Sequence, residues 1–262
     1  MQPVNVPALP RIGGLATIPS RKAGLAAVLA RVLPQLDHLY VFFDRHGEVP
    51  AEYAAHPKIT ALLPSTAGDF RSCGKFLGVE LHRTPCLYFG FDDDIQYPSD
   101  HVDVLARALH RYNLRAVVGF HATLFTPPHQ SYLRDRVILN FGQALNIDCC
   151  ADELGSGTIA FHTGTIRFHP RSWPYRNMSD LMLAIEAVNR GLPRITVRRP
   201  DGYVRPLAEY QADSLYIQLH RDDSRETALM RKAIERFPLA WQRAGPNAEH
   251  WLGDSPSRSA TG

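Results

Sequence analysis

A strand, a helix and a second strand open the chain, and that succession limits what the rest can become. Gly13-Gly14-Leu15-Ala16-Thr17-Ile18 is small and apolar, as a buried strand requires. Leu25, Val28, Leu29, Val32 and Leu33 then recur at helical spacing, and Pro34 closes that helix. His38-Leu39-Tyr40-Val41-Phe42-Phe43 reads as the second strand and stops at Asp44. Strands joined through a helix lie parallel, with a right-handed crossover. Ile59 to Leu63 and Leu87 to Phe91 extend the pattern as further strands. The expected fold class is α/β, a mixed, mainly parallel sheet flanked by helices.

The fourth strand ends in three adjacent carboxylates, Asp92-Asp93-Asp94, followed by Ile95-Gln96-Tyr97-Pro98. In open α/β sheets ligands bind beyond the carboxyl ends of the strands. Neighbouring carboxylates repel one another, and a hard divalent cation such as Mg²⁺ or Mn²⁺ offsets that cost through carboxylate oxygens. The alternative is a solvated acidic turn before the helix that Pro98-Ser99-Asp100 opens. Pro19, Ser20, Arg21 and Lys22 follow the first strand at a helix start, where free amides and Arg21 suit phosphates or simply meet water. Asp44 is a ribose or base ligand, or a turn residue. Gly68-Asp69-Phe70-Arg71-Ser72-Cys73-Gly74-Lys75-Phe76 joins small residues to Asp69, Arg71 and Lys75, a loop for pyrophosphate or an exposed connection.

The second half is less regular. Val102 to Tyr112 marks a helix and Arg115 to Phe120 a strand, whereas residues 121 to 150 resist reading around Pro127-Pro128, with Val137 to Phe141 the clearest strand. Gly155-Ser156-Gly157 leads a β-prone run to His162, a metal ligand or a core histidine. Asp180 begins a helix that Gly191 stops. Ile195 to Val197 and Asp213 to Ile217 read as short elements, and Arg225 to Phe237 as a basic amphipathic helix that lies on the core or on an anionic membrane. A net charge of +3 is too weak to argue for nucleic acid. Without a membrane-length apolar run or a leader, a cytoplasmic protein with free thiols at Cys73, Cys86, Cys149 and Cys150 is expected.

Gly74-Lys75-Phe76 followed by Tyr88-Phe89-Gly90-Phe91-Asp92-Asp93-Asp94-Ile95-Gln96-Tyr97-Pro98 resembles the "GKF … DDDI-YP" pattern of small polysaccharide-building enzymes. The order of elements resembles nucleotide-sugar glycosyltransferases of the A-type, Rossmann-like fold, in the bacterial family 2-like inverting group. The resemblance implies one domain over 1–244, with a nucleotide-binding half at 13–98, an acceptor half at 99–244 and a tail at 245–262. It implies that Thr17, Pro19, Arg21 and Asp44 line the nucleotide pocket, with Asp69 and Lys75 on the nucleotide or its diphosphate. Asp92, Asp93 and Asp94 match the Asp-x-Asp element. Asp94 would bind Mn²⁺ or Mg²⁺ most directly, with Asp92 beside it and His162 or His220 completing the site. Gly155-Ser156-Gly157 would shape the acceptor side, and Asp180 matches the catalytic base. Family members carry Glu-Asp or Asp-Asp there, and this chain has Ser179-Asp180. The implied function is transfer of a sugar from a nucleotide-sugar donor to a saccharide or lipid-linked acceptor in cell-surface polysaccharide synthesis, with peripheral association at the inner face of the membrane. A nucleotidyltransferase, or an inactive sugar-nucleotide-binding or partner-binding member of the fold, is the alternative.

Overall fold

A computed structural model describes residues 9–207, 220 and 222–241. The element expected at 213–217 and the tail at 245–262 lie outside the described residues. Strands β1 (Arg11–Thr17), β2 (His38–Phe43), β3 (Ile59–Leu62) and β4 (Leu87–Phe91) come first. Then follow β5 (Ile95–Gln96), β6 (Val117–Gly119), β7 (Ala122–Phe125), β8 (Arg136–Leu139) and β9 (Cys149–Ala151). β10 (Glu153–Leu154), β11 (Thr158–His162), β12 (Arg194–Thr196) and β13 (Arg205–Pro206) complete the strands among the described residues. The longer helices are α1 (Lys22–Val32), α2 (His101–Arg111), α3 (Ser179–Asn189) and α4 (Ser224–Arg236).

The main sheet has eight strands in the order β3-β2-β1-β4-β11-β6-β12-β9. β3, β2, β1 and β4 are mutually parallel, while β11 runs antiparallel to both β4 and β6. β12 is parallel to β6 and β9 antiparallel to β12. The class is α/β with a mixed, mostly parallel sheet, as the alternation of strands and helices predicts. A second sheet, β10-β7-β8, is antiparallel throughout, and β5 pairs with β13.

Alternate side chains point to opposite faces of a strand, and β4 shows the result. Leu87, Phe89 and Phe91 join α1 and α2 in one apolar cluster, whereas Tyr88 joins Phe76, Phe161, Trp173 and residues of α3 in another. With both faces covered, β4 reads as a continuous apolar run. A third cluster joins Met230 and Ala233 of α4 to Leu181, Ala184 and Val188 of α3. The basic helix expected near 225–237 therefore lays its apolar side on the core, with Arg225, Arg231, Lys232 and Arg236 exposed. Among the described residues no helix is long and apolar enough to cross a membrane.

Gly155-Ser156-Gly157 forms the turn ahead of β11, as its place before the β-prone run predicts, and two local readings change. Residues 71–76, read as a loop, wind into a 3-10 helix with Cys73, Gly74, Lys75 and Phe76 buried. The stretch 121–150 holds β7, β8 and β9, with a cis peptide bond between Pro127 and Pro128.

Candidate functional site

Because β1, β2 and β4 run in parallel, their carboxyl ends gather at one edge of the sheet. Thr17 ends β1, Asp44 follows β2 and Asp92-Asp93-Asp94 follow β4. A cleft of about 910 Å³ opens over this edge, lined by those residues and by Arg21, Asp69, Lys75, Ser156 and Asp180. Asp69 and Arg71 are exposed at the cleft and pair at 3.6 Å. Asp44 is buried, its amide donating to the Thr17 carbonyl at 2.8 Å, and burial raises its carboxyl pKa.

The triplet is held from behind. Tyr97 is 1% exposed, and its hydroxyl accepts the Asp92 amide at 2.8 Å while donating to the Gly157 carbonyl at 2.6 Å. The sequence motif therefore has a mechanical sense: the tyrosine five residues on clamps the acidic turn to the Gly-x-Gly turn. Glycine fits this contact as it stands, since a Cβ at Gly157 would lie 2.0 Å from Asp92 Oδ2 and force that side chain to move. Lys75 reaches the same carboxylate from the other side. Its ammonium donates to Asp92 and, at 3.2 Å, to Ser156 Oγ. The Lys75 carbonyl accepts from Tyr88 Oη at 2.6 Å, and only a glycine at position 14 leaves room, because a Cβ there would come within 1.8 Å of that carbonyl oxygen.

Charge is unevenly matched here. Burial works against the Lys75 ammonium, but Asp92 and Asp180 outweigh it and raise its pKa. Burial lifts the Asp93 carboxyl to about 7 despite the opposing charge of Arg21. Burial and then Asp92 raise Asp94 as well. Lys75 thus offsets Asp92, while burial disfavours the charged forms of Asp93 and Asp94.

The Gly155-Ser156-Gly157 turn joins the triplet to Asp180. The Ser156 amide donates to Asp180 Oδ1 at 2.9 Å, and its hydroxyl stands 3.0 Å from Ser179 Oγ. Asp180 lies in the first turn of α3, where backbone amides and the helix dipole favour an anion. Asp92, Asp94, Asp180 and His121 share the walls of a smaller recess of about 270 Å³.

Thr17, Arg21, Asp44, Asp69, Lys75, Asp92, Asp93, Asp94 and Asp180 therefore converge on one cleft. Two expectations are corrected. His162 pairs with Leu87 at the start of β4, whereas Thr158 pairs with Phe91 beside the triplet. The antiparallel course of β11 carries His162 to the opposite edge of the sheet, where its Nδ1 meets Thr165 Oγ1 at 3.1 Å, so it is not a ligand of the Asp94 site. Pro19 is exposed in a short 3-10 turn and lies outside the cleft lining. His220 is exposed and also outside that lining.

The reading of the residues alone passed over His121, Tyr132, Arg136 and Glu153, all of which line the cleft. Glu153 is 2% exposed, accepts from Tyr132 Oη at 2.7 Å, and has its pKa raised to about 8 by burial and then by Asp180. Burial lowers His121 to about 4.

A resident cation is judged by the donor set. Among the described residues no three His, Cys, Asp or Glu side chains form a ready metal cage. Mg²⁺ and similar ions seldom use one; they take one or two carboxylates and complete their shell with water and substrate phosphates. Asp94 with Asp92 meets that requirement. No protein-family model matches this chain, and no curated protein matches it.

Proposed function

We propose that this chain is a metal-dependent, inverting glycosyltransferase of the A-type fold, moving a sugar from a nucleotide-sugar donor to a saccharide or lipid-linked acceptor. The observation that carries the reading is the acidic triplet at the end of β4, braced by a buried lysine and facing Asp180 across one cleft. Structural acids on a surface turn do not need Tyr97, Gly157 and Lys75 arranged around them.

Asp94 and Asp92 would hold the cation, and Mn²⁺ or Mg²⁺ when bound supplies positive charge for the departing diphosphate. The chain's own cations act on the same group. Lys75, fixed by Asp92 and Ser156, and Arg21, at the foot of α1, stabilise negative charge gathering on the leaving side. Asp44, buried behind Thr17, offers a carboxylate to the ribose or base. On the other side Asp180 takes the proton of the attacking hydroxyl. Its hydrogen bonds from Ser156 and Ser179 fix the carboxylate's direction. Attack opposite the leaving group through an oxocarbenium-like state inverts the anomeric centre.

The reading is tested by thermal denaturation with UDP-, GDP-, CMP- and dTDP-sugars, with Mn²⁺ or with chelator. A ligand that binds the native state alone raises its melting temperature. A metal-dependent rise with one nucleotide class, absent in Asp94→Ala, is expected. No rise with any of the four, or an equal rise in Asp94→Ala, would overturn the reading.

A further inference from the structure

The small sheet β10-β7-β8 has two unlike faces. Ala122, Leu124, Leu139 and Leu154 point into the apolar core. Residues paired across a ladder share a face, and Glu153 pairs with Thr123, Thr123 with Ile138, and Phe125 with Arg136. The second face therefore carries Thr123, Phe125, Arg136, Ile138 and Glu153, and all of these but the buried Phe125 line the cleft.

A polar sheet face normally meets open water, yet Thr123 is 4% and Glu153 2% exposed. Buried polar atoms are normally paired. Here Glu153 Oε2, Arg136 Nε and His121 Nδ1 have no hydrogen-bond partner in the protein. The side chains are nonetheless fixed. Tyr132 Oη holds the other Glu153 oxygen at 2.7 Å, and the Arg136 guanidinium lies 4.9 Å from the Tyr132 ring centre. The face thus presents unsatisfied polar atoms among apolar neighbours, and it borders Asp180, whose charge acts on Glu153, Tyr132 and His121.

We propose that this face is a binding subsite for a neutral, polyhydroxylated ring, with Glu153 and Arg136 as positioning residues that hold its hydroxyls beside Asp180. That the ring is the sugar acceptor rests on the glycosyltransferase reading; that the face binds a polyol does not. The donor set selects the ligand class. Arg136 Nε only donates, His121 Nδ1 donates or accepts according to tautomer, and Glu153 accepts and, when protonated, also donates. Neighbouring hydroxyls on one ring both give and take hydrogen bonds and suit that mixture. A phosphate dianion accepts without donating, and the Asp180 carboxylate beside the face repels it. An apolar ligand would leave all three atoms unmet.

Saturation-transfer NMR with the methyl glycosides of glucose, galactose, mannose and N-acetylglucosamine tests the subsite. Wild type, Glu153→Ala, Glu153→Gln, Arg136→Met and Asp94→Ala are compared, with and without Mn²⁺ and UDP, after circular dichroism has confirmed each fold. At least one glycoside should bind wild type, and Asp94→Ala when UDP is omitted. Glu153→Ala and Arg136→Met should each weaken it about tenfold, the loss of one such hydrogen bond. Glu153→Gln, which still accepts from Tyr132 and can donate, should bind like wild type. If Glu153→Ala does not fold, Arg136→Met decides. No glycoside binding to wild type under either condition, or undiminished binding in both subsite variants, overturns the proposal. UDP and Mn²⁺ binding on the same samples reports on the donor site separately. UDP binding without glycoside binding overturns the subsite alone, whereas glycoside binding without metal-dependent nucleotide binding keeps the subsite and removes its role as acceptor site.

Discussion

Gly157→Ala isolates the contact between the Gly-x-Gly turn and the acidic triplet. The added methyl would sit 2.0 Å from Asp92 Oδ2 and 2.4 Å from its Cγ, where ordinary contact begins at 3.4 Å. The backbone at Gly157 is outside the left-handed region, so the alanine itself is unstrained and the cost comes from the contact. Asp92 has to swing away, and Lys75, 3% exposed, keeps only its bond to Ser156. Overpacking costs about 1–3 kcal/mol. Separating a buried ion pair adds to this, though less than the full penalty, because the Asp92 side chain is 37% exposed. We expect a total of ~3 kcal/mol, which lowers the melting temperature by roughly 6–12 °C in a chain of this size. In an Asp92→Ala background the obstructing carboxylate is gone. Only the Asp92 Cβ, 3.0 Å from the added methyl, is left to give way, so the same change should then cost less than about 1 kcal/mol. Urea denaturation of the four proteins gives the coupling, expected at roughly 2–3 kcal/mol. Additive effects of the two substitutions would refute the packing described between Gly157 and Asp92.

Further outcomes follow from the cleft. Asp180→Asn should bind the nucleotide sugar with metal as wild type does and lose transfer by about two to four orders of magnitude; transfer at the wild-type rate moves the base elsewhere. His162→Ala should leave the metal-dependent thermal shift unchanged, and a lost shift would contradict the placement of His162 at the far sheet edge. Glu153→Gln tests the raised Glu153 pKa, near 8 against an ordinary 4.5, in a surrounding that includes Asp180, Tyr132, Arg136 and Asp152. The folded state holds this proton more tightly, so the wild-type contribution is full below the lower value and is lost as pH climbs to the higher one. The glutamine variant should match wild type in urea at pH 4. It should become the more stable protein by pH 8, the gap widening by up to about 1.4 kcal/mol per pH unit. A gap that does not change with pH counts against the buried proton.

The parts of the fold that announce themselves are those buried on both sides. β2 and β4 are unbroken apolar runs because a helix layer covers each face, and the acids that follow them mark the strand ends. The small sheet is hard to read for the opposite reason. β7, β8 and β10 are two to four residues long, and one face is polar because it lines the cleft. Thr123, Arg136 and Glu153 are single polar residues scattered over thirty positions, and only the pairing register assembles them. A buried glutamate next to a β-prone run is the one local signal that could have drawn attention. His162 misled because nearness to Gly157 in sequence says nothing about strand direction. Tyr97 and Gly157 were visible as part of a motif and a glycine turn, but the clamp they form spans sixty residues and exists only once β11 lies beside β4.

The position of β11 also decides how the chain can be divided. It hydrogen-bonds to β4 from the first half of the chain on one side and to β6 from the second half on the other. A fragment that stops near residue 98 would present β4 as a bare sheet margin rich in Tyr88, Phe89 and Phe91, a template for pairing with other copies. The growing polypeptide meets the same hazard on the ribosome, from the time β4 emerges until residue 162 follows it. The two sides of the sheet are therefore joined through one strand, and the first cannot be produced cleanly without it.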